Sequence, residues 1–200
     1  MKLHTKVLLL LLAAVIGATG YATVLVRSGF SARDNPSAPE EFAARAIRSL
    51  SIPAAAKRAA NPFQATPEIL TQAREHFADH CATCHANNGS GKNEIGQNLY
   101  PKAPDMRLPQ TQNLTDGEIY YIIHNGVRLT GMPAWGEADH DRDSWKLVLF
   151  IRHLPQLTPQ EEKDMERFNP TSEIDREEKQ QEEEFLNGED SPKKKQNQTR

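Results

Sequence analysis

Cys81-Ala82-Thr83-Cys84-His85 is the stretch on which the fold turns. It holds both cysteines of the 200-residue chain, so no disulfide framework staples the protein. Two thiols three residues apart, followed at once by a histidine, match the spacing at which thiols add across the two vinyl groups of a haem. The imidazole then lies beneath the iron. A thioredoxin-like pair would need a preceding strand and a βαβ surround, and neither pattern is visible. A zinc site recruiting His76 or His80 would need a second paired cluster, which the sequence lacks. The expected cofactor is therefore one covalent haem c per chain, attached at Cys81 and Cys84, with His85 as a metal ligand.

Outward from that pentapeptide, the pattern is helical throughout. Thr66-Pro67-Glu68 supplies a hydroxyl cap, a proline at the first helical position and an acid in the first turn. The helix it opens runs into the cysteines and carries Ile69, Ala73 and Phe77 on one face. After His85 come Asn87-Asn88-Gly89-Ser90-Gly91 and then Pro101, Pro104 and Pro109, which is loop chemistry over about twenty-five residues. A loop of that length needs something to wrap around. Thr115 and Glu118 form a capping box for a second helix, with Ile119, Ile122 and Ile123 inward and Gly126 as its left-handed end. A third helix starts between Asp141 and Ser144, with Trp145, Val148, Leu149 and Ile151 as its inward stripe, and Pro155 stops it. No strand pattern appears, so the expected class is all-α.

An iron held by His85 on one face leaves the other face for a second ligand, and that ligand separates electron transfer from ligand chemistry. Met106, Met132 and Met165 are the candidates, together with the spare histidines. Met132 is preferred, because Gly131 and Pro133 stiffen its segment, whereas Met106 lies only about twenty residues past the motif, where the chain still has to round the haem edge. Trp135 and Arg128 are candidates for steadying the haem propionates. His124 and His140 suit helix ends, and His76 with His80 suit the surface.

These residues resemble a class I cytochrome c over about Thr66 to Pro155. The resemblance rests on Phe77 four residues before Cys81, the haem motif, the glycine and proline loop, Met132 within Gly131-Met132-Pro133, and Leu147 with Phe150 on the closing helix. It implies that the closing helix crosses the first, so that Phe77 meets Leu147 or Phe150. It also implies that the carbonyl of Pro101 or Pro104 accepts the second imidazole proton of His85, and that His/Met ligation raises the reduction potential. Ala73 departs from the glycine common at that crossing.

The flanks carry the rest. Val7 to Val26 is uncharged and long enough for an α-helix to cross about 30 Å of hydrocarbon. It is read as a transmembrane anchor, the alternative being a signal peptide cleaved near Ala18-Thr19-Gly20. Residues 28–65 hold four prolines and few large apolar groups and are expected to be a tether, with a short amphipathic helix around Phe42, Ala46, Ile47 and Leu50. That helix is expected to pack loosely on the domain, the other option being the membrane surface. Beyond Thr158 a short helix with Met165 and Phe168 gives way to a charged tail expected to be disordered, with nine acids against Arg176 and Lys179 between Glu173 and Asp190.

The divisions are thus 1–27 anchor or signal, 28–65 tether, 66–158 cytochrome c domain, and 159–200 short helix and tail. Net charge is −3 without a basic stripe, which argues against a nucleic-acid partner. The expected function is a single-electron carrier of a respiratory chain rather than an enzyme. It would dock transiently with redox proteins and be held by its N-terminal helix at the cytoplasmic membrane, haem domain on the periplasmic side, or be released as a soluble periplasmic protein. The alternatives are a haem subunit of a larger oxidoreductase, or a gas- or peroxide-binding haem enzyme or sensor.

Overall fold

The computed structural model describes residues 3–29, 31–136, 141–170 and Leu186. The charged tail and His140 lie outside them. Among the described residues every regular element is helical: α1 (Leu3–Ser28), α2 (Ala38–Ser51), α3 (Ala54–Lys57), α4 (Pro67–His76), a π-helical turn (Phe77–Cys81), α5 (Ala82–His85), α6 (Glu94–Gln97), α7 (Pro109–Gln112), α8 (Asp116–Asn125), α9 (Asp141–His153) and α10 (Pro159–Met165).

The core forms where α4 crosses α9. Thr66 caps α4, its hydroxyl accepting from the Ile69 amide at 3.3 Å. Ala73 and Phe77 then turn inward, 1% and 0% exposed. Phe77 meets Phe150 with ring centroids 5.1 Å apart and planes inclined at 57°. Such an aromatic pair adds about 0.5–1.5 kcal/mol beyond its buried area. On α9 the buried stripe is Ser144, Leu147, Val148, Phe150 and Ile151, continued by Leu154. Trp145 and Leu149, expected inside, are only half-buried, because the crossing with α4 turns the face holding Leu147 and Phe150 inward instead. Trp145 lies flat on Tyr120 of α8 at 4.2 Å.

The capping box of α8 is present, with the Glu118 amide donating to Thr115 Oγ1 at 3.2 Å and the Thr115 amide donating to Glu118 at 2.9 Å. Ile119 and Ile123 are buried, while Ile122 is half-exposed. Gly126 ends the helix at φ +64° and ψ −169°, an extended left-handed-φ conformation close to glycine-only, not the αL cap expected from sequence. Arg152 joins α9 to the start of α8, donating to Asp116 at 2.9 and 2.8 Å and to the carbonyls of Gln112 (2.6 Å) and Leu114. Gln112 in turn donates to the carbonyls of Met106 and Ile151, both at 2.8 Å. On the far side, Met165 at the end of α10 is fully buried in the same core, and Phe168 packs on it.

The segment expected to be a tether is folded onto the domain over its second half. Ile52 is buried, Asn61 donates to the Trp145 carbonyl at 2.9 Å, and Thr115 donates to the Lys57 carbonyl at 2.9 Å. Gly117 lets the backbone of α3 approach α8 so closely that a Cβ there would overlap the Ala56 carbonyl. This contact uses small residues and backbone polar groups, which a search for apolar stripes does not register.

Phe77→Ala should cost about 3–5 kcal/mol, and Gly117→Ala, which must push α3 away, about 1–3 kcal/mol. Urea unfolding of the haem-loaded protein measures both.

Candidate functional site

Cys81 is the last residue of the π-helical turn, and Cys84 and His85 follow on α5. The π turn inserts an extra residue into the helix. It lets the consecutive residues Phe77 and Ala78 both be buried, with Ala82 inside one turn later, while Cys81, Cys84 and His85 stay half-buried. Both thiols are free. Burial, with the Cys84 thiol adding to it, pushes Cys81 up to about 12, and burial raises Cys84 as well. A disulfide-exchange pair needs the opposite, a thiol whose pKa is lowered toward neutrality. With all described elements helical, nothing supplies the strand that pair requires. Among the described residues no cluster of three or more His, Cys, Asp or Glu side chains forms.

The chain reverses just after His85. Ala86 sits at φ +59° and ψ 157°, a costly conformation for a residue with a Cβ, and the Gly91 amide then donates to the His85 carbonyl at 2.8 Å. Asn93 holds the loop against the motif. Its amide donates to the carbonyls of Ala82 (2.8 Å) and Thr83 (3.0 Å), and its oxygen accepts from the Gly96 amide at 2.7 Å. Gly96 is pressed against Cys84 so tightly that a Cβ would overlap the Cys84 carbonyl. Gln97 donates to the Gly91 carbonyl at 2.7 Å. Of these, Asn93 before Glu94 carries a recognisable helix-cap signal, whereas Gly96 and Gln97 carry no local signal of their role.

This wrapped loop returns Pro104 to the motif. His85 Nδ1 is buried and makes no hydrogen bond of good geometry. Burial lowers the His85 pKa, and the Pro104 carbonyl is close enough to oppose that. Of the two prolines considered, Pro104 is thus the one whose carbonyl acts on the imidazole. Its neighbour Asp105 is held by Arg107, which donates to both carboxylate oxygens at 2.9 and 2.7 Å, and these bonds keep Asp105 below the usual carboxylate range.

The three candidate methionines separate by burial. Met106 and Met165 belong to the hydrophobic core. Met132 is half-buried, on the segment between α8 and α9. Its amide donates to Thr130 Oγ1 at 3.1 Å and its carbonyl accepts from the Val127 amide at 3.1 Å. Two contacts link this segment to the motif end of the molecule. Gly131 abuts Leu99 of the wrapped loop, and Trp135 meets His80 of the π turn edge-on at 5.5 Å. Arg128 is exposed. His124 pairs with Asp141 at 3.1 Å, and His76 stacks on His80 at 4.6 Å.

Residues 68–151 match the family model described as cytochrome C oxidase, cbb3-type, subunit III. Residues 68–151 are a class I c-type cytochrome domain. No curated protein matches the chain. A cytochrome domain of this kind carries covalently bound haem c and acts as an electron-transfer module with redox partners or within a complex. The residues present fit that group: two unpaired thiols at the required spacing, and an imidazole with a buried Nδ1 that has no hydrogen-bond partner and with the Pro104 carbonyl acting on the ring. At the other end of the chain, α1 is long and apolar enough to cross a membrane, a property it shares with signal sequences.

Asn93→Ala removes three hydrogen bonds at the cytochrome motif and should cost about 1–3 kcal/mol in urea unfolding. For Asp105→Asn the pH dependence carries the sign. A carboxyl with a depressed folded-state pKa stabilises fully above the unfolded value of about 4 and loses that contribution as pH falls through the folded value. The variant should be less stable than the parent at pH 7, the gap closing below pH about 4.

Proposed function

We propose that the chain is a membrane-anchored single-electron carrier of a respiratory chain, with haem c attached at Cys81 and Cys84 and its iron held by His85 and Met132. The observation that carries this reading is the half-buried His85 imidazole, with a buried Nδ1 lacking a hydrogen bond and the Pro104 carbonyl acting on the ring, preceded by two free thiols. Met132 is supported by elimination, since Met106 and Met165 are packed in the core while Met132 lies on the segment that meets the motif end through Leu99 and His80.

Haem c supplies a one-electron iron couple when bound. His85, fixed by Pro104, offers a neutral nitrogen donor. The soft thioether of Met132 would be the second donor to the iron and would favour its ferrous state. The wrapped loop and the α4–α9 crossing support His85, and Gly131 against Leu99 brings the Met132 segment to that loop. The 66–158 domain has eleven acids and eight basic residues, a balance that suits small, transient contacts with redox proteins. Such a domain belongs outside the cytoplasm, with α1 as a single-pass anchor in the cytoplasmic membrane.

The match to an oxidase subunit model favours one further reading, that the chain is the haem subunit of a larger oxidoreductase. A stable partner that co-purifies in mild detergent would support it, and a monodisperse single chain would remove it.

Two measurements test the main proposal. Haem staining after denaturing electrophoresis should mark the membrane fraction, and colourless protein from a host able to attach haem c would refute it. Met132→Ala should abolish the sulfur-to-iron charge-transfer band of the oxidised protein, whereas Met106→Ala should keep the band and lose stability. Rapid carbon monoxide binding by the unmodified reduced protein would instead favour a ligand-binding role.

A further inference from the structure

The 14-residue helix α2 has no buried residue, and what ties it to the domain is polar. Phe42, Ala46 and Leu50 follow one another at i, i+4 and i+8, with Ala43 and Ile47 beside them, so the helix has one apolar face. On a helix docked to a globular domain that face is buried. Here Phe42 is 76% exposed, Ile47 66% and Leu50 85%. The polar side makes the contacts instead. Glu40 accepts from Tyr100 of the wrapped loop, and Ser49 accepts from Lys57 at 3.3 Å. Arg48, opposite the apolar face, is half-buried and feels the carboxylate of Glu118. Buried Ile52 pins the end of the helix, and Lys102 binds the Arg33 carbonyl at 3.2 Å just before its start. The apolar face expected to pack loosely on the domain is thus turned outward.

What covers the outward face follows from where the helix is tied. Only residues 29–37 separate the end of α1 from the start of α2, a span of at most about 30 Å when fully extended. α1 itself exposes its whole apolar surface. A second apolar surface on so short a leash, with the polar side already engaged, has the form of a helix lying in the plane of the bilayer interface.

We infer that α2 lies on the outer surface of the same bilayer that α1 spans, with Phe42, Ile47 and Leu50 among the acyl chains, and that it holds the 99–102 side of the cytochrome domain at the lipid. The inference rests on the reading of α1 as a retained anchor. The domain would then be fixed at a set height and tilt by a second attachment, instead of swinging on a tether.

The test uses the full-length, haem-loaded chain in vesicles of phosphatidylethanolamine and phosphatidylglycerol. The photocrosslinker p-benzoylphenylalanine replaces one residue at a time, at Phe42 and Leu50 on the apolar face, Glu41 and Arg45 on the polar side, and Leu12 within α1. The expected result is lipid adducts at positions 12, 42 and 50, several-fold above those at 41 and 45, detected by mass spectrometry of the tryptic peptides. Lipid adducts at 12 without them at 42 and 50 overturn the inference and leave the anchor intact. Equal yields on both faces of α2 also overturn it. Crosslinks from 42 and 50 to another protein or to a second copy, in the native membrane, assign the face to a protein and overturn it likewise. A mature chain lacking residues 1–20 removes the anchor and the inference together.

Discussion

The contact between Phe77 and Phe150 is the one on which the rest of the cytochrome domain depends. It fixes α4 across α9, and α4 continues without a break through the π turn into Cys81, Cys84 and His85. Any rotation of α4 about its axis would swing both thiols and the imidazole away from one side. Ala73, 1% exposed at the crossing, shows how little space remains there. The methyl group that distinguishes it from the expected glycine is accommodated inside the core. Because protein interiors pack like crystals, the position of the motif is as well defined as the core is full.

The second constraint is that the loop after His85 must close on itself without a core of its own. It does so with backbone and amide hydrogen bonds: Asn93 to Ala82 and Thr83, Gln97 to Gly91, the Met106 amide to the Gly89 carbonyl, and Gln112 to Met106 and Ile151. Each contributes about 1 kcal/mol net, but each would cost more if left unmade in a buried place. The strained Ala86 starts the reversal, and Gly91, at φ +66°, completes it in a space where a Cβ would overlap the Ala103 carbonyl. The result places Pro104 at His85. A long irregular loop thereby becomes a support with few degrees of freedom.

Much of this was legible beforehand. The helix starts at Thr66 and Thr115 were readable because a capping residue acts on its own neighbours, so the signal is local. Phe77 and the Leu147/Phe150 pair were readable from the family resemblance, and periodicity alone found Val148 and Ile151, which are buried, but added Trp145 and Leu149, which are half-buried. The π turn left no mark, since no residue type encodes an extra residue in a helix and tertiary packing decides it. The choice between Pro101 and Pro104 depended on how the loop closes, which is a non-local outcome. The folding of residues 52–61 onto α8 and α9 was missed because Gly117 against Ala56 and Asn61 on a backbone carbonyl add almost nothing to hydropathy.

The same limit explains α2. Periodicity shows that a helix has an apolar face, yet it is symmetric with respect to which neighbour receives that face. The direction is set by the polar side, where Glu40 meets Tyr100, Ser49 meets Lys57 and Arg48 is half-buried, and by Ile52, whose burial fixes the rotation of the last turn. Turning the apolar face inward would remove those polar contacts and swing Arg48 outward. Exposing Phe42, Ile47 and Leu50 to water instead would forfeit roughly 1.5–3 kcal/mol for each large side chain relative to its burial. A bilayer surface satisfies both requirements at once, because the polar contacts are kept and the apolar face is covered. With α1 retained as the anchor proposed for it, the sequence order would have a physical reason: an anchor, a short leash, a helix lying flat, and only then the cytochrome domain.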